Sequence, residues 1–355
     1  KRFDKPNEEE VEWFIRKDKK IINWVQEEGL NVDIMIALIY RTAYPFIGEI
    51  AKNATEKINE LLSKAGISED DQKITKHYHD LGWFLSVSER VSGYALGNFD
   101  RAMELARLNA HGLGWHPSII NKESVKYFDL LNGEKEMLDK VLNSVSLEYK
   151  NNFLDNVAKF NDAWTKEIEI KKSLSKNEAC LISIIEDSNN IKKDPQTFTS
   201  IISIRNDLSG SLLPTDKRDF SKSITHHNTI LITLRLKEDA NKIVGFIKAG
   251  PLEDYQLRRG TIDVNLGMRN TIFIESIYIK SGYWGEKGGH LLRMKLLDQS
   301  KKRGYQYVTG YVHRDVLQRR NNRGEMHETV QKYDPDKLDY YRVDLSKYNT
   351  SDLSI

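Results

Sequence analysis

Between an apolar run, Thr271 to Ile279, and an amphipathic stretch that ends at Arg303 lie seven consecutive residues, Trp284, Gly285, Glu286, Lys287, Gly288, Gly289 and His290. Glycines in a strand-to-helix turn let backbone N–H groups approach an anion closely. The helix start behind them adds unpaired donors and the positive end of its dipole. The chemistry this spacing suits is the grip of a pyrophosphate. The helix it would open carries Leu291 and Leu292 inward, together with Arg293 and Lys295.

Other chemistry-bearing residues have plainer readings. His77 and His79 are two apart on a predicted helix and do not face one another, so a shared metal is not expected. His226 and His227 fall in a predicted turn. Arg319, Arg320 and Arg323 read as a solvated face that is also in a position to meet a phosphate or an acidic acceptor. The one cysteine, Cys180, opens a strand as a small apolar residue, and it cannot form an intrachain disulfide, which suits a reducing cytoplasm.

The elements that must hold these residues divide into two halves. From Glu8 to about Lys172 the apolar spacing is helical, with stops at Gly29 and Gly66, a break at Pro45, a Ser68–Asp71 capping box and a loop from His111 to Pro117. Glu134 to Lys172 contains neither Pro nor Gly and reads as one long stripe. Beyond Lys172 strands and helices mix. Strands are predicted at Cys180–Ile185, Thr229–Leu236, Ile243–Ala249, Thr271–Ile279, Tyr305–Val312 and Leu338–Leu345, with helices at Gln196–Leu208 and Glu286–Arg303. Gly250 to Asn270 is a long connection of flap character. The expected class is α+β, with a helical bundle domain over 1–172 and a mixed α/β domain over 173–355.

Composition bounds the function. The chain has 355 residues, 39% apolar and 30% charged, which fits folded domains. No apolar run approaches the ~18 residues a membrane span needs. Lys plus Arg is 54 and Asp plus Glu is 52, so the formal charge of +2 carries no signature of a nucleic-acid binder.

Residues Leu174 to Tyr348 resemble the GNAT-type N-acetyltransferase superfamily. Ile277, Tyr278 and Ile279 match the family's central strand end, Trp284 to Gly289 fall on its phosphate signature without a gap, and Arg303-Gly304-Tyr305 matches the stop of its helix. Trp284 stands where Arg or Gln is usual, and Lys287 replaces the first signature glycine. The side chain at 287 either narrows the phosphate approach or meets a phosphate as a point charge. No tyrosine occupies the family's acid position near Arg323.

The resemblance implies a central, mostly antiparallel sheet and acetyl-CoA as acyl donor. The coenzyme would lie along Ile277, Tyr278 and Ile279 and on the turn from Trp284, Gly285 and Glu286 through Lys287, Gly288 and Gly289 to His290. Glu275 would be the base that takes a proton from an amine acceptor, its pKa raised by burial, with Ile274 and Ser276 on the opposite face. The N–H near Ile279 would meet the oxyanion, and Tyr311 and His313 are the candidate acids toward the departing thiolate. No metal is implied. In this reading the helical half shapes the acceptor site or mediates dimerisation; the rival reading is a non-catalytic or weakly catalytic acyl-CoA-binding module whose helical half engages a protein partner.

Overall fold

Up to Ser175 every regular element is a helix, because apolar side chains recur there at helical intervals. The computed structural model describes residues 7–68, 70–112, 117–176, 180–208, 216–285, 287–334 and 337–348. The helices are α1 (Asn7–Lys17), α2 (Lys19–Glu27), α3 (Val32–Tyr40), α4 (Gly48–Lys64), α5 (Gln72–Ala95), α6 (Phe99–Gly112), α7 (Ile120–Gly133), α8 (Lys135–Ser144) and α9 (Leu147–Ser175). They are shorter than the apolar stripes suggest, because polar residues cap new starts inside them. The stripe from Glu134 breaks after Ser144, where the Ser146 hydroxyl accepts the Tyr149 N–H at 3.4 Å. Asp18 likewise ends α1 and caps α2, accepting from the Lys20 and Ile21 amides. Asp71, not Ser68, caps α5. Part of the expected loop from His111 to Pro117, residues 113–116, lies outside the described residues.

The chain divides into two compact units. One comprises Lys1–Ala106 and Asn121–Asp162; the other comprises Arg107–Ile120 and Ala163–Ile355. The first unit is held by an aliphatic core around Ile36, Ile58 and Leu61. A cluster of rings adds to it: Phe160, wholly buried, meets Tyr94, Phe99 and Phe128 at centroid distances of 5.5, 5.0 and 5.8 Å. Arg90 reaches the Glu134 carboxylate at 2.6 Å. His79 bonds Asn59 at 3.2 Å, and no metal-holding group of His, Cys, Asp and Glu occurs among the described residues.

The second unit adds β1 (Leu181–Glu186), α10 (Ser188–Lys193), α11 (Pro195–Leu208), α12 (Phe220–Ser223), β2 (Ile230–Leu236), β3 (Ile243–Pro251), β4 (Thr271–Ile279), α13 (Gly288–Lys302), β5 (Tyr307–His313), α14 (Arg314–Asn321), β6 (Glu328–Gln331) and β7 (Leu338–Asp344). The seven strands lie in the order β1-β2-β3-β4-β5-β7-β6. All pairs are antiparallel except β4 with β5, which α13 joins as a parallel crossover. One face buries Ile232, Leu234, Ile247, Ile272 and Val308 against Leu292, Leu296 and Leu297 of α13 and Leu317 of α14. The other buries Leu231, Ile243 and Phe246 against Ile191 of α10 and Ile201 and Ile204 of α11. The arrangement is the α+β fold expected, with the mostly antiparallel sheet. Strand β6 and helices α10 and α12 were not foreseen, since each is short and largely polar.

Candidate functional site

The parallel pair is short. Thr271 to Ile274 pair with Tyr307 to Gly310, while β4 runs on to Ile279 and β5 to His313 without facing partners. The cause is local. On its other edge β4 carries a bulge: Ile274 opposes Ala249 and Ser276 opposes Lys248, so Glu275 is the extra residue. A bulge bends and twists its strand, and here β4 leaves β5 just beyond it. The bulge also corrects the simple alternation. Ser276 shares the face of its partner Lys248, and so lies with Glu275 rather than opposite it; Ile274 alone turns to the α13 side.

Past the bulge the ladder decides which groups face the opening. The Lys280 N–H bonds the Val244 carbonyl at 2.8 Å. Alternation along an antiparallel strand therefore turns the N–H and C=O of Ile277 and Ile279 toward the opening, and those of Tyr278 toward β3. Tyr278 instead packs its ring on Phe246 at 5.1 Å. The Trp284 indole donates to the Ile279 carbonyl at 2.7 Å. That bond ties the turn to the strand end and leaves the Ile279 N–H facing the opening.

The turn itself divides its labour. Gly285 takes a positive φ of 91° and Lys287 one of 61°, the latter a strained choice for a side-chain-bearing residue. Glu286 lies outside the described residues. Gly288 begins α13 and is buried: a Cβ there would sit 2.7 Å from Leu234 Cδ2, inside contact distance. At Gly289 a Cβ would meet only Ile279 Cδ1 at 3.7 Å, an ordinary contact. So Gly288 sets how closely the helix start approaches the sheet, and Gly289 is the freer of the two. No side chain caps α13, so its first amides keep their donors.

Cations gather at this helix start. His290 bonds Glu325 at 3.1 Å, and the buried Arg293 touches the same carboxylate. Arg320, also buried, stacks on Tyr341 at 5.2 Å, and its Nη1 is buried without a hydrogen-bond partner. Burial, with Arg320 close by, pulls the Arg293 guanidinium down to about 10. Burial and then Arg293, Arg323, Lys287 and Arg320 hold the His290 imidazole below its ordinary value, and burial with Arg320 and Arg293 does the same at His327. Among the described residues Glu325 is the one carboxylate that meets this set, so the described groups at the start of α13 carry a positive balance. A consequence is testable. The unfolded chain binds protons that these folded imidazoles refuse, so stability falls as pH drops below about 6.5. Urea midpoints across this range should decline toward acid, and less steeply in His327→Gln; parallel curves would refute the assignment.

Glu275 meets a partner that sequence reasoning missed. Lys248, wholly buried on β3, places its ammonium against Glu275 and 3.1 Å from Asp216. Arg218 binds Asp216 at 2.9 Å and Asp254 at 2.8 Å. The Tyr255 hydroxyl is buried nearby without a hydrogen-bond partner, its ring 5.3 Å from the ammonium. Glu275 is thus one arm of a buried ionic chain. The signal in the sequence was a single lysine inside the apolar run from Ile243 to Ala249.

The two candidate acids separate. Tyr311 lies on the Glu275 side of the sheet, its ring 6.0 Å from Phe273. Its hydroxyl accepts the Arg258 N–H at 3.1 Å and bonds Thr261 at 2.6 Å, both from the 250–270 connection. Burial raises its pKa, so the phenol stays protonated near neutrality. His313 is half-buried and stands at the N-cap of α14.

Residues 199–321 match the family described as Acetyltransferase (GNAT) family. No curated protein matches the chain. Among solved structures, a GNAT-family acetyltransferase from Staphylococcus aureus Mu50 is similar at 16% identity, covering 47% of this chain and 99% of that one, with a TM-score of 0.31. The yncA protein of Salmonella typhimurium, solved with its cofactor acetyl-CoA, shows 13% identity over 48% of this chain and 96% of its own, with a TM-score of 0.31. The PaiA N-acetyltransferase of Thermoplasma acidophilum, in complex with coenzyme A, shows 10% identity over 46% and 99%, with a TM-score of 0.28. Residues 199–321, the stretch that matches the GNAT acetyltransferase family, hold both the strands that part and the uncapped helix start.

Proposed function

We propose that this domain transfers an acetyl group from acetyl-CoA to an amine by direct attack in a ternary complex, with residues 173–355 as the transferase domain and 1–172 as a separate helical domain. The observation that carries the reading is the opening between β4 and β5 with the electropositive start of α13 next to it. The residues present suit such a donor. Unpaired amides and cationic side chains at 287–293 fit the diphosphate, and backbone groups of Ile277 and Ile279 fit an extended amide-bearing arm.

The chain's own residues then divide the work. Glu275 accepts a proton from the ammonium form of the acceptor, directly or through one water. Lys248 holds that carboxylate in place and must yield it for the transfer. The Ile279 N–H meets negative charge developing on the thioester oxygen. Tyr311, kept protonated by burial, is the better placed acid for the thiolate, because it shares the face of Glu275. The observation that favours the rival reading is the Lys248–Glu275 contact, which would leave a module that binds acyl-CoA without turnover.

Titration of the whole chain with acetyl-CoA and with CoA tests the binding, and thiol release across a panel of amines tests the transfer. No binding of either ligand would end both readings; binding without release would select the module. Gly288→Ala should weaken acetyl-CoA by about tenfold, since overpacking costs about 1–3 kcal/mol and displaces the helix start. Gly289→Ala should leave affinity unchanged. Equal affinities for the two variants would count against α13 as the phosphate seat.

A further inference from the structure

The long connection between β3 and β4 inverts the usual rule of burial. Ile262, Val264, Leu266 and Met268 are 78%, 74%, 52% and 67% exposed, while the polar residues between them, Asp263 and Asn265, are buried. The inversion is built, not slack. Asp263 accepts from the Tyr340 hydroxyl at 2.6 Å and from Arg342 at 2.9 Å, tying the segment to β7. Its backbone carbonyl takes the Leu266 N–H at 3.1 Å, and that of Asn265 takes the Met268 N–H at 3.0 Å. Glu253 receives the amides of Gly267 and Arg269 at 3.1 and 2.8 Å. Thr261 joins Tyr311 and Tyr333. Four large apolar side chains are therefore held outward on a fixed convex knuckle, at the cost of leaving them in water.

The exposed side-chain charge around the knuckle is positive, and the carboxylates there are set back from the surface. Arg259 and Arg269 flank it and are exposed. The Gln306 N–H bonds the Asn270 carbonyl at 2.8 Å, which brings the end of α13, with exposed Arg303, to the same pole. The carboxylates there are engaged: Glu253 with the two amides, Asp254 with Arg218, Asp263 with Arg342. An apolar tip inside a collar of arginines is complementary to a surface with an apolar interior and anionic groups above it.

We propose that the knuckle at 262–268 docks this domain on an anionic lipid bilayer, the aliphatic side chains entering the acyl boundary and Arg259, Arg269 and Arg303 meeting lipid phosphates. Two other occupants fit less well. A symmetric second copy would set each arginine collar against its own image. A protein groove would need a shape matched to a convex ridge that carries no aromatic anchor. The docking also leaves the coenzyme end accessible, since the knuckle precedes the first residue of β4 and the α13 turn follows its last, roughly 26 Å away at about 3.3 Å per residue. No helix of the described chain is long and apolar enough to cross a membrane, and peripheral docking needs none.

The test is co-sedimentation of the whole chain with vesicles of phosphatidylcholine alone or mixed equally with phosphatidylglycerol. The protein should pellet with the mixed vesicles, not with the neutral ones, and less as salt rises. Val264→Ser with Leu266→Ser should weaken that binding by at least tenfold, and Arg259→Gln with Arg269→Gln by about thirtyfold, at about 1 kcal/mol per basic residue near the surface. All four side chains are exposed, so the variants should melt with the parent. Failure to pellet with anionic vesicles, or pelleting untouched by the serine changes, would overturn the proposal. So would a dimer of the parent that the serine changes dissolve, which would make the knuckle a contact between copies.

Discussion

Lys248→Met is expected to destabilise the sheet domain by about 3–5 kcal/mol, the cost of breaking a buried ion pair by removing one partner. The lysine is wholly buried, and both its partners are carboxylates on elements far apart in sequence, Asp216 before β2 and Glu275 on β4. Methionine fills the same volume without the charge, so the loss is electrostatic rather than a cavity. Arg218 still neutralises Asp216 at 2.9 Å. The group left uncompensated is Glu275, and the variant Lys248→Met with Glu275→Gln should recover part of the loss. Chemical denaturation of the four members of this cycle measures it. A single Lys248→Met variant that unfolds with the parent would mean that the ammonium is not what holds this corner.

Glu275→Gln should do the opposite: keep the fold and remove the rate. The ammonium of Lys248 keeps Asp216 at 3.1 Å, so no unpaired buried charge results. Acetyl-CoA affinity should be unchanged, because Glu275 lies on the bulge and not on the α13 turn. The transfer rate should fall by roughly 10²–10⁴-fold, the range for losing a positioned acid–base group. The loss should be deepest near neutral pH, where an amine acceptor is mostly protonated, and smaller at alkaline pH, where free amine supplies itself. A parallel pH–rate profile at full rate would remove Glu275 from the chemistry and leave it as a structural partner of Lys248. Lys248→Arg separates the two roles: it retains the pairing charge with a different reach, so a change in the pH profile without a change in stability would mark the lysine as a positioning residue.

Local pattern was enough to read much of this protein. Helical spacing up to Lys172, alternation beyond it and the glycine-rich turn before α13 are set by neighbours within a few residues, and the strand at Thr271–Ile279 is found where the apolar run put it. Breaks inside continuous stripes were harder to see, because Asp18 and Ser146 act through single caps that leave the apolar spacing intact.

What spacing could not carry was the company each residue keeps. Glu275 was visible as a carboxylate in an apolar strand, and alternation alone sets its face, but its ammonium comes from β3 and the next carboxylate from before β2, and the bulge brings Ser276 onto that same face. Gly288 and Gly289 look alike in the chain, yet the approach of Leu234 makes one a packing position and leaves the other free. The exposed ridge at 262–268 reads as an ordinary mixed loop until Asp263 is seen bonded to Tyr340 and Arg342. Secondary structure is largely decided by interactions a few residues long, which a sequence displays. Charge pairing, close approach and the direction a loop faces are decided by contacts tens of residues apart, which exist only once the sheet has closed.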